Sequence, residues 1–310
     1  MKKKSDNLFN DELFLEFQEK KFINSSFKKI FLKGVNRQNN YVEYVISIEE
    51  KHGKKILNCF DYPIDLENLA FTPESYKKIV NEIKKISIDE NISNIYFKKK
   101  ISDEELKKKL LEKDDALDFI GVESSIDLNN DLEFINKNFS KGHRSSLKIM
   151  YKNLKYELFD YKNYQKDLVL EMMNLHKEVS GRTTRSTDTW RTIEKMILNK
   201  KGLLIKVKDD VKIISFAFIF FNNKSAVYFS SCTLREMFKL YKNITHKTIW
   251  ESIKYLKSIN CKSFYLGITK THYSRSITDK KNKNIDLFKS SFGGEKSNFI
   301  IYNNLENIKF

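Results

Sequence analysis

Glycine and proline are scarce in this 310-residue chain, at nine and two residues. That scarcity rules out collagen-like, proline-rich and linker-rich architectures. Cysteine is scarcer than glycine and odd in number: Cys59, Cys232 and Cys261 are widely spaced and form no Cys-x-x-Cys pair. A zinc ribbon, a redox motif and a disulfide scaffold are all disfavoured, and a reducing cytoplasm is the expected compartment. The five histidines are scattered without a His-Glu-x-x-His spacing, so no metal partner is expected. Missing too are a Walker phosphate loop, a Gly-x-Gly-x-x-Gly turn and a Gly-x-Ser-x-Gly elbow, so ATP hydrolysis, nicotinamide chemistry and α/β-hydrolase chemistry lose ground. The most apolar run, Ile213–Phe221, is about half the length that spans a bilayer. The opening MKKKSDNLFNDELF has no apolar stretch behind its lysines and does not read as a secretory signal. The expectation is a soluble, cytoplasmic protein. Lys2, Lys3 and Lys4 leave open a peripheral contact with the inner face of the membrane.

What is present is a globular composition, 40% hydrophobic and 32% charged. The length fits one large or two ordinary domains. The net charge of +16 is unevenly placed: residues 1–150 carry 27 basic and 26 acidic side chains, residues 151–310 carry 30 and 15. A compositional bias toward lysine acts on both halves alike, so the asymmetry is more informative than the total. A basic half attracts nucleic acid, nucleotide phosphates or anionic lipid head groups, or is simply a solvated surface.

Hydropathy patterning gives each half a mixture of helices and strands. In the first half it predicts helices over 11–22, from Pro73 to about 85 and from Ser102, strands over 41–49, 54–60, 91–98 and 123–128, and a helix over 131–151 broken at Gly142. In the second it predicts a strand over 156–160, a helix over 163–179, and a helix capped by Thr187 or Asp188. A three-strand meander follows over 203–208, 211–221 and 225–232, with Asp209-Asp210 and Asn222-Asn223-Lys224 as its turns. A helix over 244–259, a strand over 262–267, a polar loop over 269–283, a short helix over 285–290 and a strand over 298–302 complete the chain. The order is that of an α+β sheet with a buried centre.

Four segments carry chemistry. In HKEVSGRTTRSTDTW (176–190), Arg182 and Arg185 flank Thr184 beside His176 and Gly181. Guanidinium forks bind phosphate bidentately and hydroxyls add donors; the competing reading is a helix C-cap at Gly181 with arginines paired to acids. In FKSSFGGE (288–295), Lys289 supplies a point charge, and Gly293 and Gly294 permit a tight turn and close approach of a ligand. In KGHRSSLK (141–148), His143, Arg144 and Lys148 crowd one helix, either as a solvated basic face or against an anionic substrate. His246 and Tyr228 are candidates for proton handling, His246 being the more ordinary as a packing residue.

Taken together, these segments resemble the FemAB-like branch of the GNAT-type acyltransferases. The matching pieces occur in family order: 124–160, the helix and GRTTR loop of 172–190, the meander of 203–233, HKTIWESIKYLKSINCKSFYLG (246–267) and IDLFKSSFGGE (285–295). The match covers about residues 124–300 and leaves the first hundred poorly matched. It implies two tandem GNAT-like domains, here 1–150 and 151–310, each a mixed, mostly antiparallel sheet flanked by helices, with a cleft between them and the last strand packing back on the first domain. One departure is informative. Coenzyme A-dependent GNAT proteins carry a glycine-rich loop whose N–H groups hold a pyrophosphate, whereas SSCTLREMFKLYKNITH (230–246) has no glycine.

The resemblance implies attack by a substrate amine on an activated acyl group, with no permanently bound cofactor. The donor is aminoacyl-tRNA or an acyl thioester, and the acceptor a phosphate-bearing cell-envelope precursor. On that reading Arg182 and Arg185 anchor the acceptor phosphate, Lys289, Gly293 and Gly294 shape the cleft, and Tyr228 and His246 orient groups or move protons. Two alternatives stand beside an aminoacyl-tRNA-dependent enzyme: an N-acyltransferase acting on an amino sugar in surface-polysaccharide synthesis, and a non-catalytic RNA- or membrane-binding protein.

Overall fold

The computed structural model describes residues 8, 11–21, 26–35, 41–51, 54–58, 72–92, 94–102, 104, 117–270 and 280–302. Most of the helix expected from Ser102, all of the hairpin turn at 52–53, Cys59 and the start of the polar loop after 270 lie outside the described residues.

The described strands form one 11-stranded sheet. They are β1 (Ser26–Val35), β2 (Tyr41–Lys51), β3 (Lys54–Asn58), β4 (Asn94–Ile101), β5 (Leu117–Asp127), β6 (Lys155–Phe159), β7 (Gly202–Lys208), β8 (Ile213–Phe221), β9 (Ser225–Thr233), β10 (Ser263–Lys270) and β11 (Glu295–Tyr302). Their spatial order is β1-β2-β3-β4-β11-β5-β10-β9-β8-β7-β6. The same unit occurs twice. β1, β2 and β3 form an antiparallel meander whose last strand pairs in parallel with β4; β7, β8 and β9 do the same with β10. The strand that closes each unit crosses to the other: β5 pairs with β10, and β11 inserts between β4 and β5. The sheet is therefore continuous, mixed and mostly antiparallel.

Its helices are α1 (Glu12–Lys21), α2 (Pro73–Asp89), α3 (Leu132–Lys137), α4 (Lys141–Lys148), α5 (Leu168–Ser180), α6 (Thr187–Leu198), α7 (Met237–Leu240), α8 (Ile244–Ser258) and α9 (Lys280–Ser290). α1 belongs in space to the second half: Phe14 and Phe17 pack on Phe229, Lys195 reaches Glu16 at 2.7 Å, and Lys201 reaches Asp11 at 2.5 Å. The core is densest at β8, where Ile214 and every residue from Phe216 to Phe220 are at most 1% exposed. Each isoleucine or phenylalanine side chain there contributes roughly 1.5–3 kcal/mol relative to exposure.

Local chemistry sets several boundaries differently from the hydropathy pattern. The expected 131–151 helix is two helices, and the break falls before Gly142, where the Ser140 hydroxyl caps α4 by accepting from the His143 N–H. α5 starts at Leu168, later than expected, because Asp167 stands at φ 72 in the left-handed region. Ser186, rather than Thr187 or Asp188, caps α6. The meander turns are as expected: Asp209 Oδ1 accepts from the Val211 and Lys212 N–H groups, and Asn222 Oδ1 from Lys224 and Ser225. These are side-chain mimics of a backbone turn.

Candidate functional site: a fork between β9 and β10

β9 and β10 stay paired only from Ser225↔Ser263 to Val227↔Tyr265. Beyond that point β9 follows β8 as far as Thr233, while β10 follows β5 as far as Lys270. The two parallel strands therefore separate and leave a fork in the sheet. Irregularities on both arms accompany the separation, one at Phe229 opposite the Phe218/Ile219 step and one between Tyr265 and Gly267. An extra residue bends its strand, increases twist and re-aims side chains. Gly267 takes φ 89 on the β10 arm, a conformation that favours glycine.

On the β9 arm the bulge puts two consecutive side chains on one face. Phe229 packs against Phe14, Phe17, Phe218 and Phe220. Ser230 Oγ accepts a 2.8 Å hydrogen bond from Arg185 Nη1. The Arg185 guanidinium lies 5.6 Å from the Phe17 ring and 5.1 Å from the Trp190 ring. No carboxylate pairs with it among the described residues, and burial draws its pKa below the usual arginine range. His176 contacts the same Trp190 ring, and its Nδ1 lies 3.3 Å from Thr184 Oγ1. Burial first, then the Arg185 charge, lower the His176 pKa, so the ring is neutral at pH 7. His176, Thr184 and Arg185 thus meet around Trp190. Arg182 does not join them: it is exposed, and its carbonyl accepts from the Ser180 hydroxyl. Gly181 does serve as the C-cap of α5, at φ 70. The rest of the GRTTRS loop holds α1, since the Ser186 and Thr189 hydroxyls donate to the Lys20 carbonyl.

On the opposite face Tyr228 and Ser231 come together across the bulge, and burial pushes the phenol up to about 12, so it keeps its proton. Lys289 Nζ sits over Gly267, 3.1 Å from where a Cβ would stand. Burial lowers the Lys289 pKa, and Asp286 works against that shift. Gly293 and Gly294 do make a close approach, but to the chain's own backbone: added Cβ atoms would stand 2.1 Å from the Asn138 carbonyl oxygen and 2.4 Å from that of Ser125.

His246 packs rather than faces a substrate alone. Its ring meets His143 at 4.3 Å, Phe288 at 5.1 Å and Phe292 at 6.1 Å. Burial, helped by His143, holds its pKa near 4, and its Nδ1 is buried without a hydrogen-bond partner among the described residues. His143 has its own pKa lowered by burial, while its Nε2 lies 3.1 Å from the Phe288 carbonyl oxygen. Both rings have folded-state values below the unfolded one. The unfolded chain therefore takes up protons first on acidification. Stability is complete above about pH 6.5 and falls toward pH 4, by at most about 1.4 kcal/mol per pH unit per ring. His246→Phe is expected to flatten that fall, as read from urea midpoints at pH 7.5 and 5; an unchanged pH dependence would remove His246 as its source.

The α8 N-terminus, where the chain leaves the fork, is covered. Asn243 is 2% exposed and donates from Nδ2 to the carbonyls of Ser146 and Ile149. The Lys242 N–H donates to the Tyr151 hydroxyl, and the Tyr151 and Tyr241 rings stack edge to face at 5.1 Å. An α4-to-β6 segment thus occupies the position from which a helix N-terminus would meet a pyrophosphate.

Four features were not evident in the sequence: Ser230 as the partner of Arg185, the Phe17 and Trp190 rings around it, the Gly267 notch, and the His143–His246 contact. Only Gly267 left a local signal, an isolated glycine inside a strand pattern.

No family model and no curated protein matches this chain. Solved structures do. One of FemX superposes with a TM-score of 0.61 at 13% identity, covering 95% of this chain and 92% of that one. A conserved protein of unknown function from Bacteroides thetaiotaomicron VPI-5482 gives 0.52 at 9% identity, covering 96% and 92%. The structure of L-PGS from Bacillus licheniformis gives 0.51 at 11% identity, covering 90% and 85%. The repeated meander, parallel strand and fork define a tandem GNAT-like fold. Within that class the fold is FemAB-like, matching FemX over nearly its whole length.

Proposed function

We propose that this protein is an acyltransferase that forms an amide on an amine of a phosphate-bearing cell-envelope precursor, with aminoacyl-tRNA as the donor. The observation that carries the reading is the β9/β10 fork, with a desolvated arginine, without a carboxylate partner among the described residues, against one arm and a half-buried lysine over the other. The amine attacks the ester carbonyl, a C–N bond forms, the C–O bond to the donor's ribose breaks, and the amine's proton passes to the departing oxygen. Nothing in this sequence needs a nucleophilic side chain. Holding the amine against the carbonyl supplies a large rate factor, and donors aimed at the oxyanion add roughly two or three orders of magnitude.

Each residue has a role in this reading. Arg185 anchors the acceptor's phosphate, with Thr184 and His176 ordering the loop beside it, and the exposed Arg182 adds positive charge outside that cluster. Lys289 places positive charge over the Gly267 notch. Tyr228, protonated at neutral pH, is the group suited to donate a proton. His246, a weak base near pKa 4, orients α9 through Phe288. Arg182 is exposed, so Arg182→Ala is expected to leave stability within about 0.5 kcal/mol while raising the acceptor KM. The covered α8 N-terminus and the lack of glycine over 230–246 support a donor other than free coenzyme A. The basic second half favours tRNA, whose binding weakens steeply with salt.

The test is donor binding. The protein is titrated with charged tRNA, acetyl-CoA and an acyl-carrier thioester at two salt concentrations. Salt-sensitive tRNA binding without coenzyme A binding is expected. Binding of coenzyme A or the thioester instead would favour amino-sugar acylation and overturn the donor assignment.

A further inference from the structure

Exposed apolar side chains are scattered over most of this surface, but four lie together. Met150 is 77% exposed and Ile149 39%, just after α4; Leu240 is 60% exposed and Phe238 47%, on α7. The two segments are fastened to each other by the Tyr151–Tyr241 ring contact, by the Lys242 N–H bond to Tyr151, and by Asn243, which donates to the Ile149 carbonyl. The patch is thus a rigid ridge beside the end of the fork, built on buried tyrosine and asparagine with hydrophobic groups facing outward.

Its rim is basic. Lys148, Lys152, Arg235, Lys239 and Lys242 are all exposed, and none has an ion-pair partner among the described residues. The acid on this ridge, Glu236, is already paired with Lys212. Water gains nothing from exposed methionine, leucine and phenylalanine, and a polyphosphate backbone has no use for aliphatic side chains. A bilayer surface suits both parts: the apolar tips enter the head-group boundary while the lysines reach lipid phosphates along their methylene stems. Clusters of this kind bind anionic lipid, each basic residue being worth about fivefold in partitioning.

We infer that the Ile149–Met150 and Phe238–Leu240 ridge is a docking surface for an anionic lipid bilayer. Docking there brings the end of the fork close to the membrane. The surface stands independently of the transferase reading, since vesicle binding and donor binding are measured separately and either can fail alone.

The full chain is co-sedimented with phosphatidylcholine vesicles, with and without phosphatidylglycerol. Two paired variants probe the ridge, Met150→Asp with Phe238→Asp and Lys239→Glu with Lys242→Glu. All four side chains are exposed, so the fold is kept, as circular dichroism checks. The control is Lys162→Glu with Lys166→Glu, which changes the net charge equally beside Asp160, at the other end of α8, where Tyr255 donates to Asp160. Expected are binding to the anionic vesicles alone, loss of at least about tenfold in both ridge variants, and a control within about twofold of the parent. High salt, with a Debye length of ~3 Å near 1 M, is expected to weaken binding strongly. The proposal falls if the parent ignores anionic vesicles, if the Met150/Phe238 variant binds like the parent, or if the control weakens as much as the ridge variants. It also falls if the lysine variant loses tRNA while retaining vesicles, which would make the ridge a nucleic-acid surface.

Discussion

Gly294→Ala is expected to cost about 3 kcal/mol or more, a large fraction of an ordinary stability of about 5–15 kcal/mol. The added Cβ would stand 2.4 Å from the Ser125 carbonyl oxygen and 2.7 Å from its carbon, both main-chain atoms. Ser125 cannot give way, because β5 is held on both sides: Ser125 pairs with Glu295 of β11 and with Tyr265 of β10. Shifting it disturbs the strands that join the two halves. Gly293→Ala meets the Asn138 carbonyl oxygen at 2.1 Å and adds backbone strain, since Gly293 stands at φ 77. At roughly 1.5 °C per kcal/mol for a chain of this length, either change lowers the melting temperature by about 4–5 °C or more. Gly142→Ala is the control, because a Cβ there meets nothing within 4 Å. Melting of Gly294→Ala within about 2 °C of the control would show that β5 and β11 yield more easily than their pairing implies.

The same glycines show where sequence reasoning reached and where it stopped. The FKSSFGGE segment is recognisable as a place where backbones come close, but its sequence does not say which backbone comes. The partner is Asn138 and Ser125, more than 150 positions away. The meander was legible because β7 and β8 are mostly apolar, interrupted inside by Lys206 and Ser215, with Asp209 and Asn222 at their turns, all local features. β1 was not legible: in SFKKIFLKGV three lysines break the alternation, and the strand is held by a ten-residue register with β2 and by the Lys28–Glu90 ion pair. The exchange of β5 and β11 has no local signature. Nor has the attachment of α1 to the second half, which rests on Phe17, Glu16 and the Lys20 carbonyl meeting residues beyond 180. The site follows the same division. Arg185 was legible as a functional residue type; its bond to Ser230 depends on a bulge in β9 that places Phe229 and Ser230 on one face.

Arg185→Met is expected to keep or slightly raise the melting temperature while lowering transfer by about a hundredfold or more, the scale of losing one well-placed charged donor. A guanidinium mostly out of water, with one neutral hydroxyl as its hydrogen-bond partner, is expensive to hold, and removing such a charge in favour of an apolar side chain of similar volume is often neutral or stabilising. Methionine is unbranched and flexible, and beside the Phe17 and Trp190 rings it is expected to make favourable sulfur–aromatic contacts. On the proposed reading, the cost of keeping arginine there is what a site bears when it must meet an anion that is absent from the free protein. Arg185→Lys restores charge without the planar fork, so it is expected to recover little, because a compact ammonium cannot hold Ser230 and stack on Trp190 together. Melting curves and single-turnover transfer on the same samples separate the possibilities. A fall in melting temperature that accounts for the lost activity would make Arg185 a prop for α1 and the β9 bulge. Lost activity on an undiminished melting temperature assigns the charge to the substrate.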